Sequence, residues 1–118
     1  MVTALMISPS KHPCITHLCD NKDYLNCAVS IDSDIMYTAT ALYVEDEIAA
    51  IHSFEGTLSI QPPNRRIGKR IIAGTFYIVR IKDGKLKSLT DDDITRFTLQ
   101  YWEPEIYSDD EVFDSWFT

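Results

Sequence analysis

The chain has 118 residues, of which 45% are hydrophobic and 25% charged, and its formal net charge is −7. That is the length of one domain whose core needs no disulfide or metal staple, and a field of this sign works against binding a nucleic-acid polyanion. No apolar run is long enough to span a bilayer, Met1-Val2-Thr3 lacks the basic start of a signal peptide, and three cysteines without paired spacing suit a reducing cytosol.

In chain order, Val2 to Ile7 reads as a buried strand, and Ser8 to Pro13 is turn material with two prolines. Cys14 to Leu18 reads as the return strand of a hairpin. Asp20 is placed to cap a short helix running to about Val29. Ile35 to Val44 is rich in β-branched and aromatic residues, and Ile48 to Phe54 resumes as a strand after the polar turn Glu45-Asp46-Glu47. Ile71 to Ile81 is the strongest strand pattern and is expected at the centre of the sheet, covered on both faces. Asp83-Gly84 is a hairpin signal. Thr90 is the best helix start: its hydroxyl caps, Asp91 to Asp93 suit the positive end of the helix dipole, and Leu89 can staple onto Ile94. Ile94, Phe97 and Tyr101 then share one face, and Pro104 ends the helix.

The expected fold is a single α+β domain over residues 1–105, in the order β-β-α-β-β-β-α, with a mainly antiparallel sheet of about five strands and two helices. Residues 106–118 are expected as an acidic-aromatic tail, in which Val112, Phe113, Trp116 and Phe117 have the spacing of a short helix.

Charge is unevenly distributed. Residues 1–60 carry two basic and eight acidic side chains, residues 61–87 eight basic and one acidic, and residues 88–118 one basic and nine acidic. The basic island begins Gln61-Pro62-Pro63-Asn64-Arg65-Arg66 and continues through Lys69 and Arg70. Paired prolines stiffen the approach, and arginine forks suit phosphate or carboxylate recognition. Gly74 removes a side chain where a ligand or backbone could come close, and Thr75 adds a hydroxyl. Asn64, Arg65, Arg66, Arg70, Gly74 and Thr75 are therefore the candidate ligand-binding set. Two readings stay open: a pocket for an anion, or an island that neutralises the acidic arms. A second candidate surface is the tail, where Asp109, Asp110, Glu111 and Asp114 stand beside Trp116, as in an inhibitor that imitates nucleic acid.

The remaining patterns point away from chemistry. His12, Cys14, His17 and Cys19 resemble a zinc set, but on a strand Cys14 faces away from His17 and Cys19, so one tetrahedral ion cannot collect all four. Three consecutive aspartates at a helix start splay apart and suit the dipole better than a cation. His52 lies mid-strand with no base or nucleophile at a supporting spacing. The chain is read as a binder rather than an enzyme, with no metal and no cofactor expected.

The segments Pro62-Pro63-Asn64-Arg65, Ile72-Ala73-Gly74-Thr75-Phe76 and Ser88-Leu89-Thr90-Asp91, with Glu55-Gly56 before them and Glu103-Pro104 after, carry a resemblance over about Ala41 to Glu105. They resemble domain-of-unknown-function family 3846, small proteins of bacteriophages, plasmids and integrated mobile elements. Gly68-Lys69-Arg70 departs from that pattern, which more often has an acidic residue before Ile-Ala-Gly. The resemblance implies a setting, the cytoplasm of an element-bearing bacterium. It assigns no activity. The expectation is an accessory protein that acts by binding, with counter-defence as one such role. Its partner is expected to be an anionic, nucleotide-like ligand or else a host protein. A small nucleotide-processing enzyme ranks third, and no membrane partner is expected.

Overall fold

A central strand organises the molecule. The computed structural model describes residues 1–18, 39–53 and 61–117, so the expected helix from Asp20, the start of the strand at Ile35 and the turn at Glu55-Gly56 lie outside the described residues. The described strands are β1 (Val2–Ile7), β2 (Cys14–Leu18), β3 (Ala39–Glu45), β4 (Ile48–Ser53), β5 (Pro63–Ile67), β6 (Arg70–Ala73), β7 (Phe76–Lys82) and β8 (Lys85–Lys87). The described helices are α1 (Asp91–Gln100) and α2 (Asp109–Phe117). The architecture is α+β with antiparallel pairing throughout.

Strand β7 pairs β1 along its first half and β8 along its second, with β4 on the opposite edge, giving the order β2-β1-β7-β4-β3 with β8 beside β7. Its alternation splits the core in two. Tyr77, Val79 and Ile81 join Val2, Ala4, Ala49 and Ile51 on one face. Phe76 and Ile78 join Leu5, Ile7, Ile48 and Ala50 on the other, where Phe97 of α1 and its C-cap Tyr101 pack. Both layers are closed to solvent, as an apolar run of this kind requires.

The expected single strand from Ile71 to Ile81 is in fact two. Gly74 adopts φ +81, a conformation that favours glycine, and the chain leaves one sheet for another there. Strand β6 belongs to a separate two-stranded ribbon with β5, closed by a turn at Gly68-Lys69 in which Gly68 has φ +59. The sequence pattern therefore missed β5, because Pro63 and two arginines do not read as a strand. The glycine-lysine pair between Ile67 and Arg70 was the signal that could have found it.

The caps follow local chemistry. At α1 the Thr90 hydroxyl accepts from the Asp93 amide at 3.1 Å, and the Asp93 carboxylate accepts from the Thr90 amide at 2.9 Å, a capping box. Ser108 and Glu111 make the same reciprocal pair at the start of α2. The segment expected as a tail is a docked helix: Val112 packs with Ile71 and Ala73, and the Trp116 indole N–H donates to the Ile71 carbonyl at 2.7 Å.

Candidate functional site

Asn64 and Arg65 are fully buried. Every donor on the two side chains has an internal acceptor. The Asn64 amide donates to the carbonyls of Ile7 and Gly74, each at 2.9 Å, and its oxygen accepts from Arg65 at 2.8 Å. The Arg65 guanidinium reaches the Tyr101 carbonyl through Nε (3.2 Å) and Nη2 (2.9 Å), the Ser8 carbonyl at 3.4 Å and the Lys11 carbonyl at 2.6 Å. Burial lowers its pKa, and the charge of Glu105 works in the opposite direction. This pair, expected to face a ligand, instead clasps the end of β1, the loop after it and the C-terminus of α1. The physical reason is the fork: five N–H groups can gather carbonyls from separate segments and leave none of them orphaned in the interior.

Gly74 and Thr75 belong to the same clasp. Gly74 is buried, its amide donates to the Pro62 carbonyl at 2.8 Å, and a Cβ there would lie 3.5 Å from Gln61. The half-buried Thr75 hydroxyl donates to that of Ser8 at 3.2 Å. Neither is brought together with the exposed cations.

The other members of the predicted set do converge. A cleft of about 410 Å³ lies between the β5–β6 turn, strand β3 and the end of α1, lined by Arg66, Lys69 and Arg70 with Tyr43, Gln100 and Tyr101. Among the described residues no carboxylate lines it. Arg66 leans over the Tyr107 ring, 5.4 Å from its centroid, while its backbone N–H donates to Glu105 at 3.1 Å. Tyr107 donates to that same carboxylate, and burial followed by this bond pushes its phenol up. Arg70 donates to the Trp116 carbonyl at 2.7 Å and stacks on that ring. Burial, and then the charges of Glu105 and Glu45, raise the Tyr101 phenol to about 12. Tyr43, Lys69 and Gln100 were not in the predicted set: the first and last come from other elements, which no spacing in the chain announces.

The second predicted surface divides in the same way. Asp109, Asp110, Glu111 and Asp114 are exposed on α2. Trp116 was expected to face a partner, but it points inward and anchors the helix, with its ring 5.2 Å from that of His52. The exposed aromatics of α2 are Phe113 and Phe117.

Elsewhere, His12 stacks on Trp102 at 3.9 Å and donates to its carbonyl at 2.7 Å. Cys14 is an exposed thiol, while Cys19 lies outside the described residues. Among the described residues no cluster of histidine, cysteine or carboxylate could hold a metal ion, and no helix is long and apolar enough to cross a membrane. Asp93 grips Arg80 through both oxygens, at 3.0 and 2.8 Å.

A family model described as domain of unknown function (DUF3846) matches residues 2–102. The chain belongs to that family. The match includes the Asn64–Arg65 clasp and all the residues named as lining the cationic cleft, and it ends before α2. No curated protein and no solved structure matches the chain.

Proposed function

We propose that the protein is a non-enzymatic binding module that holds an anionic, nucleotide-like ligand in the cleft beneath the β5–β6 turn. The observation that supports this reading is the lining itself: Arg66, Lys69 and Arg70 line one cleft, and none of its described lining residues is a carboxylate. Its volume falls in the range of roughly 300–1,000 Å³ usual for small-molecule sites. Arginine and lysine recognise phosphate by charge-assisted hydrogen bonds. An exposed tyrosine such as Tyr43 offers a stacking face for a base, and the Gln100 amide offers a donor and an acceptor for its edge. Gly68 leaves the turn backbone open, since nothing lies within 4 Å of where its Cβ would be.

The biological setting is part of the proposal: an accessory protein of a phage or mobile element, acting in the bacterial cytoplasm to sequester a host signal. The test is native mass spectrometry of protein purified at low salt, followed by calorimetric titration with adenosine diphosphate and a cyclic dinucleotide. Wild type should carry or take up one nucleotide, and Arg66→Ala combined with Lys69→Ala should weaken binding at least about tenfold, as losing charged hydrogen bonds does. Failure of wild type to bind any nucleotide, or undiminished binding by the double variant, would reject the site.

A further inference from the structure

We propose that the outward face of α2 is a docking surface for a basic, apolar-bearing helical segment of a partner protein. The helix has two faces. Val112 and Trp116 point into the body, tied by the indole bond to Ile71 and by Arg70 at the last turn. On the outside, Phe113 and Phe117 are 57% and 56% exposed, and their rings lie 4.7 Å apart. Asp110 and Asp114 form a second exposed ridge at the same four-residue spacing. At about 100° per residue, these four side chains fall within one outward sector.

An exposed aromatic pair of this kind on a helix pinned from behind is presented without further ordering, which is what a contact surface requires. Charge selects the occupant. The helix carries Asp109, Asp110 and Glu111 in its first turn and no basic residue in its last, so it repels nucleic acid and anionic lipid and attracts lysine and arginine. The apolar ridge then demands apolar side chains beside those cations. An amphipathic basic helix meets both conditions. The helix lies beyond the residues matched by the family model, and none of its outward residues is among those lining the cleft.

The test uses the full chain and a fluorescent amphipathic peptide of lysine and leucine, with glutamate-leucine and lysine-serine peptides as controls. Anisotropy should show saturable binding of the lysine-leucine peptide alone, weakening with salt. Phe113→Ser with Phe117→Ser, and separately Asp110→Asn with Asp114→Asn, should each cost about tenfold or more, as loss of a central contact does. The charge-matched control Asp46→Asn with Asp83→Asn should bind as wild type does. Equal loss in that control would mean general attraction to an acidic protein and overturn the proposal. So would undiminished binding after the phenylalanine changes. Concentration-dependent dimerisation abolished by those changes would assign the face to a second copy instead.

Discussion

Arg65 shows what one side chain can do when its partners are remote in sequence. Its acceptors Ser8, Lys11 and Tyr101 lie 57, 54 and 36 residues away. Composition marked it as a ligand-binding arginine, and no one-dimensional pattern could have revealed three backbone carbonyls waiting for it. Arg65→Lys keeps the charge but cannot fork, and should lower stability by about 2–4 kcal/mol, measured by chemical denaturation. Asp93 is the opposite case, legible because its partner Thr90 is three residues away. Burial alone would raise its carboxyl, but the Thr90 amide and Arg80 outweigh that and hold it below the ordinary value. A depressed carboxylate stabilises the fold above its unfolded value, near pH 4, and that contribution is lost as pH falls through the folded value. Asp93→Asn should therefore flatten the acid limb of a stability–pH curve below about pH 4, while lowering stability at neutral pH.

At the scale of elements, two hairpin turns and the start of α1 could be read from the chain because glycine, threonine and aspartate act locally, while the Gly68-Lys69 turn was missed. The turns at Glu47 and Asp83-Gly84 adopt positive φ as such turns do. The division of the long apolar run was hidden, since Gly74 looked like a gap in a strand rather than a change of sheet. Helix ends explain much of the basic island. Neither α1 nor α2 carries a basic residue in its last turn, yet Arg65 meets the C-cap carbonyl of Tyr101 after α1 and Arg70 the Trp116 carbonyl in the last turn of α2. Both arginines place positive charge where the helix dipole favours it. Trp116→Ala should release α2 from β6 at a cost of about 2–3 kcal/mol. Hydrogen exchange should then show lost protection across Asp109–Phe117 while β7 stays protected.

Across the whole molecule, the cations of the chain divide between internal ion pairs and an open cleft. Arg80 bridges Glu47 and Asp93, so part of the island's charge is balanced internally; outside the island, Arg96 pairs with Glu45. Arg66 and Lys69 line the open cleft. The α+β class and the central position of β7 followed from apolar periodicity, which is a property of the chain. Which cations face inward depends on tertiary closure, which is not.

That closure has a kinetic side. The Arg65 bonds join segments that meet only after β1, the β5–β6 ribbon and the end of α1 are all in position, and contacts between distant segments form late. The clasp should be nearly absent from the folding transition state. In a chevron experiment Arg65→Lys should leave the refolding limb almost unchanged and raise the unfolding rate by about thirtyfold or more. Arg65 is then a latch on the native state, setting how long the protein stays folded rather than how quickly it folds.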